Sequence, residues 1–312
     1  LCDENLHKNI LMVNEKAGSA SDQEYFLRYD TVHGTWGDDL CFENGCLNYK
    51  DHSIAVMTEG SIENISFPKS EKFLVVDCTG VNKSEKLLEP YFERKASYVL
   101  ISAPIESSNV QNIVYGINHQ SIDTSAYKIF TAASCTTNCL APIVKVLEEN
   151  IGIKHGSITT IHNITNSQTI VDAPKNNLRR SRSGINSLIP TTTGSARAIS
   201  LIYPELKGRL NGHAVRVPLL NASLTDCVFE MKQNVEVDKI NQLFNEASNT
   251  YLRDILSYEE KPLVSSDYVN NPHSAIIDSL STMVVNKTQL KIYAWYDTVS
   301  YTHLTLPTTK NV

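Results

Sequence analysis

No stretch of this chain approaches the roughly 20 consecutive apolar residues that a membrane-spanning helix needs, and its N-terminus shows none of the charged, apolar and small-residue regions of a secretory leader. A soluble, cytoplasmic protein without membrane insertion is expected. An excess of positive charge is missing as well, with a formal net charge of −6 over 312 residues, which argues against a general nucleic-acid or anionic-lipid surface. The seven cysteines are odd in number and none stands in a C-x-x-C pair, so neither a disulfide framework nor a zinc ribbon is indicated, and no metal is expected. Internal repeats and low-complexity segments are missing too.

What is present is ordinary globular material, 41% hydrophobic and 20% charged, enough for one large core or two moderate ones. Short β-branched runs at Ile10 to Val13, Phe73 to Val76 and Tyr98 to Ser102 alternate with helix-like segments such as Ser84 to Lys95. That alternation predicts an α/β, doubly wound arrangement over the first ~130 residues. The G-x-G-x-x-G turn that usually opens such a domain does not precede Ile10. After Ala133 the chain reads as a helix followed by long strands at Ser157 to Ile161, His213 to Leu220, Ser223 to Met231 and Leu290 to Tyr296. These suggest a mainly antiparallel sheet, with helices at Gly194 to Leu206 and Val237 to Tyr251 and a turn at Asn211-Gly212.

The chemistry concentrates in Ala133-Ser134-Cys135-Thr136-Thr137-Asn138-Cys139, which opens the helix carrying Leu140, Ile143, Val144 and Leu147. Ser134 is a natural N-cap. A thiol in the first helical turn meets the positive end of the dipole and unpaired N–H groups, which favour thiolate and hold an oxyanion. Taken alone, Cys135 reads equally as a small buried residue. A base is offered by Thr159-Thr160-Ile161-His162-Asn163-Ile164-Thr165, where an apolar strand ends in a histidine.

Ser-Cys-Thr-Thr-Asn-Cys followed 27 positions on by this histidine resembles the glyceraldehyde-3-phosphate dehydrogenases. The resemblance extends to Tyr29-Asp30-Thr31-Val32-His33-Gly34, Asp77-Cys78-Thr79-Gly80, Asn118-His119, Pro190-Thr191-Thr192-Thr193-Gly194, Asn211 to Pro218 and Tyr293-Ala294-Trp295-Tyr296-Asp297. It implies a partial Rossmann-type NAD-binding domain over 1–134, lacking its first strand and Gly-rich loop, and an α+β catalytic domain over 135–297. Cys135 would attack the aldehyde of glyceraldehyde 3-phosphate and His162 would take its proton. Thr165 and Arg216 would hold the substrate phosphate, and Ser134, Thr136, Thr193 and Gly194 the attacking inorganic phosphate or arsenate. For the cofactor it implies Asn14, Glu15, Thr79, Gly80 and Ser102, with NAD preferred because the Glu15 acid repels the 2′-phosphate of NADP.

The basic run Asn177 to Ser183 is short, has no aromatic platforms, and resembles the family's subunit-interface loop, which implies a homotetramer. Gly34-Thr35-Trp36, Leu100 to Ile105 and Pro218 to Glu230 are similar to the branch found in arsenic-resistance operons, whose product is 1-arseno-3-phosphoglycerate. A glycolytic glyceraldehyde-3-phosphate dehydrogenase, an erythrose-4-phosphate dehydrogenase, a cofactor-independent thiol hydrolase or an inactive remnant are the alternatives. Where the family carries an asparagine after Tyr-Asp this chain has Thr298. Residues 298–312 resemble translated adapter sequence, so a non-native or unstructured tail is expected there.

Overall fold

The structure, a computed structural model, describes residues 7–35, 39–67 and 72–299. The chain divides into two compact units, one formed by residues up to Leu100 and the other from Ile101 onward. Apart from Thr298 and Val299, the expected tail lies outside the described residues.

In the first unit, strand β1 (Met12–Asn14) leads to helix α1 (Ala20–Arg28). The start of α1 is fixed by a capping box in which the Ser19 hydroxyl accepts from Asp22 N–H and the Asp22 carboxylate accepts from Ser19 N–H. A two-residue ribbon follows, β2 (Tyr29–Asp30) and β3 (Gly34–Thr35), and then an antiparallel meander of β4 (Leu40–Glu43), β5 (Cys46–Tyr49) and β6 (His52–Met57). Asn44 and Gly45, at φ +53° and +81°, form the two-residue turn of the first hairpin, which needs positive φ at both positions. β6 pairs in parallel with β1, giving the order β1-β6-β5-β4 around a small core of Leu40, Leu47 and Ile54. The strand-and-helix alternation read from sequence did not include this meander. Its strands are four to six residues long and carry half-polar runs such as Cys46-Leu47-Asn48-Tyr49, a weak apolar signal. The unit continues through β7 (Leu74–Asp77), α2 (Glu85–Glu93) and β8 (Tyr98–Ile101), a strand-helix-strand crossover with Leu88 and Tyr91 of α2 buried.

The second unit opens with β9 (Val110–Asn112) and β10 (Ile129–Thr131), paired in parallel. Helix α3 (Cys135–Asn150) leads into β11 (Ile153–Asn163) and β12 (Ile189–Thr192), then α4 (Ser195–Ile202), β13 (Leu210–Val217) and β14 (Ser223–Met231). Helix α5 (Val237–Asn249), β15 (Leu256–Glu259), β16 (Ala275–Val285) and β17 (Gln289–Tyr296) complete it. Seven of these strands form one sheet in the order β12-β13-β11-β14-β17-β16-β15. Four neighbour pairs are antiparallel and two, β11 with β13 and β15 with β16, are parallel, so the mainly antiparallel expectation holds.

One face of this sheet carries Ile158, Cys227, Phe229, Ile292 and Ala294, packed into the same core as Leu140, Ile143, Val144 and Leu147 of α3 and Phe244 of α5. Each fully buried side chain of this kind contributes about 1.5–3 kcal/mol. Two departures from the sequence reading have clear causes. Helix α4 stops at Ile202 because Pro204 forces a separate turn, Pro204–Leu206. Asn211-Gly212 is no turn but lies inside β13, where a Cβ on Gly212 would sit 2.5 Å from the Ile158 carbonyl oxygen. The chain instead reverses beforehand at Gly208, φ +77°.

Candidate active site

The reacting centre is built at the junction of β10 and α3. Ala133, between them, is held at φ +56° and is buried, a left-handed conformation that costs a residue with a Cβ about 1–2 kcal/mol. Its surroundings hold it there: the Asn138 amide donates to the Ala132 carbonyl at 2.8 Å and to the Ser134 carbonyl at 3.0 Å, and Ala133 N–H donates to Thr131 Oγ1 at 3.1 Å. Ser134 caps the helix, its hydroxyl accepting from Thr137 N–H at 3.2 Å. Cys135 therefore falls on the first helical residue.

His162 is delivered by the far end of β11, buried at 5% exposure, with Nε2 3.6 Å from Cys135 Sγ. Its other nitrogen, Nδ1, lies 2.8 Å from the Asn163 carbonyl oxygen and 2.6 Å from Arg216 Nη1. Arg216 also donates to the Asn163 carbonyl at 2.9 Å. It reaches the site because β11 and β13 run parallel with His162 and Arg216 in register. Burial first and the Arg216 cation second push His162 down to about 4, and burial raises the Cys135 thiol. Burial thus works against the thiolate that a place in the first helical turn favours.

Of the remaining sequence candidates, Ser134, Thr193 and Gly194 come together. Gly194 caps α4 and a Cβ there would meet open space. Thr193 Oγ1 donates to Ser195 Oγ at 3.0 Å, and Ser195 Oγ is 3.5 Å from Ser134 Oγ. The starts of α3 and α4 thus converge beside Cys135, an arrangement of N–H groups and hydroxyls suited to an oxyanion. Thr136 is turned inward, its hydroxyl 2.9 Å from the buried Tyr296 hydroxyl, which also meets Thr160 at 2.8 Å. Thr165 is exposed and closes its own turn with Ser167 at 2.8 Å; among the described residues no hydrogen bond joins it to Arg216.

Three residues at the site are given no role there by the sequence. Ser195 is a serine beside a helix cap, indistinguishable there from an ordinary cap residue. Tyr296 stands edge-on to His162 at 6.1 Å, brought in from 134 residues away. Arg180 donates to Thr191 Oγ1 at 3.2 and 3.1 Å and its charge reaches His162; its only sequence signal is the basic run Asn177 to Ser183, which resembles an interface loop.

In the first unit, Glu15 follows β1 and exposes its carboxylate, one oxygen accepting from Ala17 N–H at 3.0 Å. An acceptor-only group at the carboxyl end of a parallel strand suits the two hydroxyl donors of a ribose. Asn14 is already engaged, its amide donating to the Glu59 carbonyl at 3.0 Å and accepting from Glu59 N–H at 2.9 Å. Thr79 and Gly80 follow β7, their turn held by Asp77, which accepts from Thr79 N–H and Oγ1 at 2.9 and 2.6 Å. Gly80 is at φ +67° with open space around it, leaving the backbone approachable. This donor set fits a dinucleotide. Ser102, half-buried after β8, belongs to the second unit.

Comparison with known proteins identifies the family. Residues 1–85 match the NAD binding domain of glyceraldehyde 3-phosphate dehydrogenase and residues 134–298 its C-terminal domain. The chain is 50% identical over 286 residues to glyceraldehyde-3-phosphate dehydrogenase 3 of Nostoc sp. (strain PCC 7120 / SAG 25.82 / UTEX 2576), covering 91% of this chain and 85% of that protein. The chain belongs to the glyceraldehyde-3-phosphate dehydrogenase family. Glyceraldehyde-3-phosphate dehydrogenase 2 of Bacillus subtilis (strain 168) is 39% identical, over 89% of this chain and 82% of that protein. The enzyme of Geobacillus stearothermophilus is 40% identical, over 94% and 88%. Family membership makes this an oxidoreductase that uses NAD, with a Rossmann-type nucleotide domain and a separate catalytic domain.

Proposed function

We propose that this protein oxidises glyceraldehyde 3-phosphate with NAD and passes the acyl group to an oxyanion, with Cys135 as nucleophile and His162 as base. The observation that carries this reading is the 3.6 Å approach of His162 Nε2 to a thiol on the first residue of α3. Cys135 sulfur bonds to the aldehyde carbon while His162 takes the thiol proton, and the resulting thiohemiacetal oxygen lies toward the N–H groups that open α3. Glu15, Thr79 and Gly80, with Asn14 and Ser102, would hold NAD, which would supply the acceptor for the hydride leaving the thiohemiacetal carbon. The acyl group then sits on Cys135 as a thioester. An oxyanion held by Ser134, Thr193 and Gly194, with Thr136 behind them, attacks the thioester carbon and the carbon–sulfur bond breaks. Arg216, with Thr165, takes the substrate phosphate as a charge-assisted pair. The nucleotide part is taken as 1–134 and the catalytic part as 135–297.

The oxyanion is read as arsenate, giving 1-arseno-3-phosphoglycerate for export. Support comes from the likeness of Pro218 to Glu230 to the arsenic-operon branch; arsenate and phosphate match in charge and shape. A cytoplasmic homotetramer is part of the same reading. Its support is the loop after β11, which exposes Ile170, Val171, Leu178 and Leu188 at 70–82%, an apolar display that marks an interaction surface.

The test follows NADH from glyceraldehyde 3-phosphate with phosphate or arsenate, beside Cys135→Ala. NADH formation that the substitution abolishes is the expected result; a folded protein yielding none sinks the dehydrogenase reading. Arsenate tolerance conferred on cells only together with an arsenic efflux permease supports the arsenate reading, and turnover with phosphate but not arsenate removes it.

A further inference from the structure

His162 has two incompatible partners at Nδ1. If Nδ1 carries the proton and donates to the Asn163 carbonyl at 2.8 Å, the lone pair of Nε2 faces Cys135 Sγ and can take its proton. If Nδ1 instead accepts from Arg216 Nη1 at 2.6 Å, the proton must sit on Nε2, and a neutral His162 can then only donate toward the sulfur. Which tautomer forms depends on how firmly the Asn163 carbonyl is held toward the ring.

That carbonyl belongs to the peptide unit joining Asn163 to Ile164, and every part of the unit is gripped. Ile164 N–H donates to the Leu219 carbonyl at 3.0 Å. The Asn163 side chain, itself buried, sends its amide to the Ile164 carbonyl at 2.8 Å and the Leu220 carbonyl at 2.9 Å. Ser223, fully buried at the start of β14, completes a reciprocal pair: its hydroxyl accepts from Asn163 N–H at 3.1 Å and donates to Asn163 Oδ1 at 2.8 Å. The Thr298 hydroxyl donates to the same Oδ1. A buried amide with this many directed bonds has one orientation, because turning it leaves several polar groups unpaired at about 1–3 kcal/mol each.

We propose that Asn163 and Ser223 are positioning residues, which lock the Asn163 carbonyl onto His162 Nδ1–H and so select the tautomer whose Nε2 accepts the Cys135 proton. The inference rests on the reading of Cys135 and His162 as the reacting pair. Neither residue touches the sulfur. Both act through the ring, as outer partners of a histidine commonly do. The titratable or charged groups facing His162 are Cys135 from α3, Arg216 from β13, Arg180 from the loop before β12 and Tyr296 from β17, so Arg216 is the competitor that the clamp has to exclude from Nδ1.

The test uses the full chain without cofactor, measuring iodoacetamide alkylation of Cys135 across pH, with ring nitrogen-15 resonances of His162 reporting which nitrogen is protonated. In the unmodified protein Nδ1 carries a proton at neutral pH; an Nδ1 without a proton, with Nε2 alone protonated, overturns the proposal without any substitution. Ser223→Ala slows alkylation at neutral pH about tenfold, well short of the ~10²–10⁴ that a general base supplies, and displaces its pH profile, while Ser223→Thr, which keeps the hydroxyl, restores both. Unchanged rate and profile in Ser223→Ala, or equal loss in Ser223→Ala and Ser223→Thr, overturns it. His162→Asn separates the two levels. If that change also leaves alkylation untouched, the reacting pair itself is wrong; if it slows alkylation while Ser223→Ala does not, the clamp alone is wrong.

Discussion

Arg216 and His162 stand in register on neighbouring parallel strands, and Arg216 Nη1 comes within 2.6 Å of His162 Nδ1. A fixed cation at that distance opposes protonation of the ring, adding to the effect of burial, and together they bring His162 to about 4. The residue assigned to the substrate phosphate therefore also tunes the base.

Arg216→Gln separates the two effects. Removing the cation moves the His162 titration midpoint upward from about 4, read from its ring resonances in the apoprotein. The same change removes a charge-assisted bond worth about 1.5–3 kcal/mol, so kcat/KM for glyceraldehyde 3-phosphate falls roughly 10- to 100-fold. A midpoint that stays in place assigns the depression to burial alone.

His162 also makes the fold sensitive to acid. Its folded pKa lies below the ordinary 6.5, so between pH 6.5 and about 4 the unfolded chain binds the proton that the folded chain refuses, and stability falls as pH falls. The gap amounts to roughly 3 kcal/mol. Urea unfolding of the parent and of His162→Asn from pH 7 to 4 is expected to show a steeper loss in the parent; parallel slopes would remove the depressed pKa.

Asn138 is fully buried and ties the Ala132 and Ser134 carbonyls across the strained Ala133. Asn138→Ala leaves those carbonyls without their donor and is expected to destabilise the fold by about 2–4 kcal/mol. The left-handed residue then has less to hold it, so alkylation of Cys135 slows even in the fraction that stays folded. Thermal unfolding and alkylation measured on the same sample distinguish this from a pure stability loss.

The site was legible where chemistry is local. Ser134 and Cys135 at a helix start, and His162 at the end of an apolar strand, are neighbours of their own signals, and the structure brings them within reach as the motif spacing suggested. Arg216 could be named only by resemblance, because its place beside His162 depends on a parallel pairing of strands 54 residues apart. Thr136 and Thr165 share hydroxyl chemistry with Thr193, yet one faces Tyr296 and the other solvent, a difference that no local pattern encodes. The β4–β6 meander escaped for the opposite reason: its Asn44-Gly45 turn is a strong local signal, but the flanking strands are too short and polar to be recognised with it. Asn163 lies in the segment that offers the base and Ser223 in the one similar to the arsenic-operon branch, and only their reciprocal bonding gives them a shared role.

Gly212 shows how a correct residue can carry a wrong expectation. Asn-Gly predicts a turn because glycine tolerates positive φ, but here the glycine lies within β13 opposite Ile158. Its lack of a Cβ is used for closeness: a methyl there would stand 2.5 Å from the Ile158 carbonyl oxygen and 3.3 Å from Ile158 Cβ. The neighbouring atom is backbone inside a seven-stranded sheet, so it has little freedom to give way. Gly212→Ala is therefore expected to cost about 1–3 kcal/mol as overpacking. The contrast is Gly208→Ala, in open space but at φ +77°, where the penalty is conformational and about 1–2 kcal/mol. The two differ in where the damage goes. Gly212 lies four residues before Arg216 on β13, and the parallel pairing of β11 with β13 sets Arg216 beside His162. Gly212→Ala should accordingly raise KM for the aldehyde phosphate and shift the His162 titration, whereas Gly208→Ala should lower the unfolding temperature with both left in place. Equal kinetic behaviour in the two variants would mean that the β11–β13 spacing does not set the site.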